Sequence, residues 1–166
     1  MFLTQKILFN KEECFSIMNL VKQNSQNWNL NDRNYKSETI DYNDDTKWLF
    51  NRFKEFFESE TGITIYNLKK QIHFHKFIKG DWFDKHNDIR DSRLYAVGVL
   101  LNNDFEGGDF KLYNPNEYIL NKIIGNAYIF DVKIEHEITP IINGERYSLL
   151  WFLKNNHIKI KTNKII

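Results

Sequence analysis

The spacing of apolar positions changes partway along this chain, and the change separates helical from extended segments. Phe15, Met18, Leu20 and Val21 form a loosely amphipathic set, and Asn10 with Glu13 three residues on has the form of a capping box. Together they predict a helix over Lys11 to Lys22. A second helix is predicted after Asp44-Asp45, where Trp48, Leu49, Phe53, Phe56 and Phe57 recur at helical spacing and Gly62 is placed as a stop. Between the two, the polar stretch Gln23 to Asp45 carries Trp28, Tyr35 and Tyr42, which suits a long ordered loop able to serve as a lid.

From residue 63 the apolar runs become short, β-branched or aromatic, and are separated by turn residues such as Lys79-Gly80-Asp81, Glu106-Gly107-Gly108-Asp109 and Asn143-Gly144. Strands are predicted over Ile63 to Tyr66, Gln71 to Ile78, Leu94 to Leu101, Phe110 to Tyr113, Ala127 to Phe130, Glu137 to Ile141 and Glu145 to Leu153. Helices followed by many short strands predict a mainly β sandwich or barrel, with the N-terminal helices covering one sheet. The expected organisation is one domain over residues 1–166. Its first part, to about residue 62, gives helical support and the lid loop, and residues 63–160 form the β core.

Composition narrows this further. A chain of 166 residues can bury a core without disulfides or structural zinc. An aromatic content of 16% favours sheet packing over a helical bundle. With 23 basic and 22 acidic side chains the net charge is +1, too little to draw in nucleic acid or an anionic membrane by bulk field. The single Cys14 has no internal partner, the N-terminus lacks the apolar stretch of a signal peptide, and no apolar run is long enough to cross a membrane. These features imply a reducing, cytoplasmic setting.

The chemistry concentrates in two places. In Trp82-Phe83-Asp84-Lys85-His86-Asn87-Asp88, an imidazole and a carboxylate two residues apart share one face of extended backbone. A third ligand is needed, and His136 is the candidate. Two histidines and one carboxylate leave three positions of an octahedral ion open, which suits a non-haem Fe(II) centre binding an organic chelator and dioxygen together. Ten residues beyond His136 stands Arg146, whose fixed fork of donors suits a carboxylate in an apolar pocket. Taken singly, His136 also reads as an ordinary strand histidine and Arg146 as a surface ion pair.

Five blocks occur in order: His86-Asn87-Asp88; Asn103-Asp104-Phe105-Glu106-Gly107-Gly108-Asp109-Phe110; Gly125-Asn126-Ala127-Tyr128-Ile129-Phe130; His136-Glu137-Ile138-Thr139-Pro140; and Asn143-Gly144-Glu145-Arg146-Tyr147-Ser148-Leu149-Leu150-Trp151-Phe152. Over residues 71–154 this pattern resembles the prolyl 4-hydroxylase-like Fe(II)/2-oxoglutarate-dependent oxygenases. The resemblance implies a double-stranded β-helix, a jelly-roll of the cupin-like kind. It implies His86, Asp88 and His136 as iron ligands, and Arg146 holding the distal carboxylate of the co-substrate 2-oxoglutarate. With O2, such a dioxygenase hydroxylates an unactivated C–H bond, here of a peptidyl or free amino acid such as proline, or of a small metabolite.

The chain departs from the family where relatives often carry tyrosines that touch 2-oxoglutarate, since Phe77 and Leu100 stand there. Ser148, on the same face as Arg146, or His75, on the same face as Phe77, is expected to replace one hydroxyl. Arg93 and Trp82 are candidates for substrate contact; Arg90 also follows the His-x-Asp motif, and solvated charge describes either arginine equally well. Trp151 reads as core or pocket wall. Nucleobase demethylases of the superfamily usually carry a second Arg where Phe152 stands, which argues against a nucleic-acid substrate. His73-Phe74-His75 is a rival metal pair of cupin type, although the glutamate expected after it is missing. A non-catalytic, cupin-like protein binding a metal or a small acid is the alternative.

Asn143-Gly144 is a hairpin signal, yet a strict hairpin there would put Arg146 on the opposite face from His136. Pro140 stands where that ribbon needs a donor. A corner between sheets is expected instead.

Overall fold

A computed structural model describes residues 2–24, 35–68 and 71–159. In chain order the elements are β1 (Phe2–Ile7), α1 (Lys11–Asn24), β2 (Lys36–Ile40), α2 (Lys47–Thr61), β3 (Thr64–Ile65), β4 (Ile72–Phe77), β5 (Phe83–His86), β6 (Arg93–Leu100), β7 (Glu106–Gly107), β8 (Phe110–Tyr113), β9 (Glu117–Ile119), β10 (Asn126–Asp131), β11 (Glu135–Ile138), β12 (Ile141–Asn143), β13 (Arg146–Lys154) and β14 (Ile158–Lys159).

The helices begin and end where local chemistry directs. Asn10 Oδ1 accepts from the Glu13 amide at 2.8 Å, and Glu13 Oε2 accepts from the Asn10 amide at 2.9 Å, so two amides that α1 leaves orphaned are satisfied reciprocally. Gly62 ends α2 in the left-handed region at φ 70°, with its amide donating to the Glu58 carbonyl. The apolar stripe of α2, formed by Leu49, Phe50, Phe53, Phe56 and Phe57, is buried. It packs on a six-stranded antiparallel sheet ordered β1-β10-β6-β13-β4-β2, whose outer face supplies Val97, Val99, Ile129, Leu149, Trp151 and Leu153. Trp151 is wholly buried there, edge-on to Phe50 and Phe53, so it belongs to the helix-side core and not to a pocket wall.

The inner face of the same sheet contributes Phe77, Ala96, Leu100, Tyr128 and Phe130, which pack on Phe110, Leu112 and Ile138 of the four-stranded sheet β5-β11-β8-β9. Each large side chain moved from water into these layers contributes about 1.5–3 kcal/mol. Two antiparallel sheets closing on one core, with helices outside the larger sheet, give the mainly β jelly-roll expected from the sequence.

The strands centred on β3, β4, β6, β8, β10 and β13 fall within one residue of the sequence prediction. The other elements differ from the prediction, and the short strands β5, β7, β9 and β14 are additional to it. The predicted strand from Glu137 to Ile141 is two strands, because Pro140 cannot donate to a ladder; β11 ends at Ile138 and β12 starts at Ile141. The polar stretch after α1 contains an edge strand, β2, which pairs with β4 although only Ile40 of it is buried. Residues 25–34, the rest of the expected lid, lie outside the described residues. The N-terminal residues form β1 on the other edge, paired with β10.

The Asn143-Gly144 turn is not a hairpin. β12 pairs with β7 and β13 with β4 and β6, so the chain crosses from one sheet to the other between them. Asn102 braces the corner: its amide nitrogen donates to the Glu145 carbonyl at 2.7 Å, and its Oδ1 accepts from the Tyr147 amide at 2.8 Å. His136 therefore stands in the small sheet and Arg146 in the large one, both facing the space between.

Candidate metal centre

His86 ends β5 and His136 lies directly opposite it on β11. The two ring centroids are 4.3 Å apart. Each ring is anchored by its own backbone, with His86 Nδ1 2.6 Å from the Asp84 carbonyl and His136 Nδ1 3.0 Å from the Ile134 carbonyl. A carbonyl only accepts, so Nδ1 carries the proton in both neutral rings and Nε2 presents a lone pair. Asp88 follows two residues after β5, its amide donating to the Val132 carbonyl at 2.9 Å. Its Oδ1 is 4.0 Å from His86 Nε2 and its Oδ2 is 3.3 Å from His136 Nε2. One ligand atom from each residue lies within 4.8 Å of the others.

Asp88 and His136 are only 4% and 3% exposed. Phe110 and Phe130 pack around His136, and Phe83 lies edge-on to His86. Burial lowers the pKa of His86, helped by neighbouring His136, and this favours the neutral ring that can ligate. Burial alone would raise the Asp88 pKa, but His136, His86 and Arg93 outweigh it, and the carboxyl is held below its ordinary range. Two imidazole lone pairs thus converge on an ionised carboxylate. His86 Nε2 and Asp88 Oδ2 have no hydrogen-bond partner among the described residues. Arg93 reaches only Asp88 Oδ1, and the remaining acceptors, turned on one another, are costly to keep together unless a cation sits among them. The donor set therefore fits a divalent metal, and its two-nitrogen, one-carboxylate chemistry fits iron(II).

Arg146 opens β13 opposite Phe77 and is 2% exposed. Its Nη1 donates to Ser148 Oγ at 2.8 Å, and its guanidinium lies over the Phe77 ring at 5.5 Å. The second glycine of Glu106-Gly107-Gly108-Asp109 makes room for it: a Cβ on Gly108 would sit 3.2 Å from Arg146 Cδ and 2.4 Å from Ile141 Cδ1. Among the described residues no carboxylate forms an ion pair with Arg146.

The other residues singled out in the sequence are distributed as follows. Ser148 is at Arg146. His75 lies opposite Ser148 on β4, with its ring against Tyr35 at 5.0 Å. Arg93 stands beside the metal ligands, with Nη1 3.5 Å from Asp88 Oδ1 and its guanidinium 3.6 Å above the Phe152 ring. Trp82 is half-buried and donates through Nε1 to Asp84 Oδ1 at 2.8 Å. The open cleft beside the metal ligands is lined by Phe83, Asp84, His86, Asn87, Asp88 and Arg90. His73 and His75 join no group able to hold a metal among the described residues; His73 packs on Phe152.

Sequence reasoning missed Tyr35 and Tyr128. Tyr35 is buried and stacks on Phe77 at 4.7 Å. Tyr128 is buried beside Arg146. Alternation along β10 puts Tyr128 on the same face as Phe130, which was the available signal; that it reaches Arg146 depends on strand order.

No protein-family model matches the chain, and no curated protein sequence matches it. Solved structures do. A prolyl-4-hydroxylase from Pseudomonas putida is similar at TM-score 0.73 and 16% identity, covering 92% of this chain and 92% of that one. An oxidoreductase of the 2OG-Fe(II) oxygenase family from Burkholderia pseudomallei is similar at TM-score 0.72 and 17% identity, over 92% and 83% of the two chains. A prolyl hydroxylase from Trichoplax adhaerens, in complex with a hypoxia inducible factor oxygen degradation domain peptide fragment, is similar at TM-score 0.72 and 17% identity, over 92% and 84%. The fold is the double-stranded β-helix of these oxygenases.

Proposed function

We propose that this chain is an iron(II)- and 2-oxoglutarate-dependent oxygenase of the prolyl 4-hydroxylase-like subgroup. The observation that carries the reading is the set of buried lone pairs of His86, Asp88 and His136, converging between the same two sheets that enclose the buried Arg146, which has no carboxylate partner among the described residues. One site calls for a cation and the other for an anion. The fold shared with 2OG-Fe(II) oxygenases supports assigning iron(II) to the first and 2-oxoglutarate to the second.

In this reading His86 and His136 Nε2 and a carboxylate oxygen of Asp88 hold the iron. When bound, the metal with 2-oxoglutarate and O2 supplies the oxidation, in which one oxygen atom enters succinate, CO2 is released and the other converts a C–H bond to C–OH. The backbone carbonyls of Asp84 and Ile134 fix the two imidazole tautomers. Arg93 holds the Asp88 carboxylate while its guanidinium lies over the Phe152 ring, a positioning role. Arg146 and Ser148 orient the distal carboxylate of 2-oxoglutarate. Phe83, Phe110 and Phe130 keep the interior dry.

For the substrate we infer a peptidyl residue, ahead of a free amino acid or small metabolite. The cleft beside the ligands is open and flanked by exposed Arg90, and a structural neighbour holds a peptide. The buried, unpaired Cys14 is compatible with a reducing compartment. The test is Fe(II)- and O2-dependent release of succinate from 2-oxoglutarate, first without and then with peptide libraries. Turnover that disappears in folded Asp88→Ala supports the assignment, and turnover that survives in it contradicts it.

A further inference from the structure

Arg146 carries a buried charge whose surroundings are oxygen atoms of hydroxyl groups, not carboxylates. One is Ser148 Oγ, which accepts from Nη1 at 2.8 Å. The other is the phenol of Tyr128, which reaches the guanidinium from β10, two strands away in the sheet order β10-β6-β13.

The reach is built into the intervening strand. Tyr128 pairs with Gly98 of β6, and a Cβ on Gly98 would lie 2.2 Å from Tyr128 Cζ and 2.3 Å from its hydroxyl oxygen. Any other residue at that position would push the ring away. Glycine in a strand interior is unfavourable unless something must approach the backbone closely, and here the approaching group is this phenol. Phe110 stacks on the ring from the opposite sheet at 4.9 Å and 29°. The ring is therefore held across β6, where it lines one pocket with Arg146.

A phenol or alcohol oxygen that accepts from a guanidinium must aim its own O–H elsewhere. Burial raises the Tyr128 pKa, partly offset by Arg146, so the phenol remains a proton donor at neutral pH. Arg146 and Tyr128 line that pocket with Leu100, Phe105 and Phe110, and Ser148, bonded to Arg146, adds a second hydroxyl beside the cation. Lys122 lines the same pocket, but its Nζ is engaged by Asp109 Oδ1 at 2.7 Å and the Gly107 carbonyl. Phe77 and Leu100 bring no hydroxyl, and Tyr128 supplies one across the cleared surface of Gly98.

We propose that Tyr128 is a binding residue for the distal carboxylate of 2-oxoglutarate, donating its phenol proton to the carboxylate that Arg146 neutralises. This rests on the oxygenase reading above. The test compares two 2-oxo acids bound anaerobically to the Fe(II)-loaded protein: 2-oxoglutarate, and 2-oxobutanoate, which has the same chelating head without the distal carboxylate. Tyr128→Phe keeps the ring and removes only the hydroxyl. It should weaken 2-oxoglutarate about 10- to 100-fold, the range for losing a hydrogen bond to a charged group, and leave 2-oxobutanoate affinity unchanged in a protein that still melts cooperatively. Undiminished 2-oxoglutarate affinity in the variant, or equal loss for both acids, would overturn the inference while leaving the oxygenase assignment intact. A wild-type protein that binds iron but neither acid would instead overturn the assignment on which it rests.

Discussion

His86 and His136 are register partners on adjacent antiparallel strands, and each ties Nδ1 to the carbonyl two residues before it. The same local bond repeated on facing strands turns both Nε2 atoms toward Asp88. Without a cation, this arrangement sets acceptors against one another. Divalent metal should therefore stabilise the fold, by about 2.7 kcal/mol at a hundredfold excess over the dissociation constant. Thermal melts with and without Mn(II) or anaerobic Fe(II) check this, and His86→Ala should abolish the shift while melting cooperatively.

Arg93 provides a second prediction. Its guanidinium both faces Asp88 and lies over the Phe152 ring, so Arg93→Met removes the charged partner while leaving an unbranched side chain in its place. Metal affinity should fall about 10- to 100-fold, the usual effect of removing a group that orients a ligand. Isothermal titration with Mn(II) measures it, and unchanged affinity would show that Arg93 does not position Asp88.

Trp151 packs on the helix side of the sheet, away from the metal. Trp151→Ala should cost about 3–5 kcal/mol in denaturant unfolding. Under folding conditions its metal affinity should match wild type. A selective loss of metal or 2-oxo acid binding, with little loss of stability, would place Trp151 at the site after all.

Cys14 is 1% exposed, and burial, with Glu13 beside it, pushes its thiol up to about 11. The thiolate is the reactive form, so iodoacetamide at pH 8 should leave the folded protein unmodified and label it once unfolded. The folded thiol holds its proton after the unfolded one, with an ordinary value of 9.0, has lost it. Stability linked to this group is therefore present below pH 9 and declines as pH rises toward about 11. Rapid labelling of the native state at pH 8 would contradict the burial.

What the sequence revealed depended on whether the physics was local. The Asn10–Glu13 box and Gly62 set helix ends by contacts a few residues apart, and both helices are found where they point. Central strands such as β6 and β10 announce themselves by apolar runs that both faces bury. The edge strands β2 and β9 do not, because Glu117, Tyr118 and Ile119 are all exposed and Lys36–Ile40 buries one side chain; backbone hydrogen bonding to a neighbour holds them, and it leaves little mark on composition. In the site, His86 and Asp88 were legible from spacing, and Pro140 signalled the corner separating His136 from Arg146. Tyr128 was not legible, because its meaning depends on Gly98 lying beside it, and Ala127–Phe130 and Leu94–Leu101 become neighbours only in the folded sheet. The closeness of Arg93 to Asp88 was not legible for a related reason: it depends on the folded turn over Asp91 and Ser92, both with positive φ.

The most direct test of the central claim is anaerobic reconstitution with Fe(II) and 2-oxoglutarate, following the weak visible charge-transfer absorption that an iron-bound 2-oxo acid gives. The account predicts a band in wild type that is absent in His136→Ala and bleached when O2 is admitted. A folded, iron-loaded wild type that shows no band with saturating 2-oxoglutarate would contradict it, and would leave the buried lone pairs of His86, Asp88 and His136 as the site of a metal with no bound co-substrate.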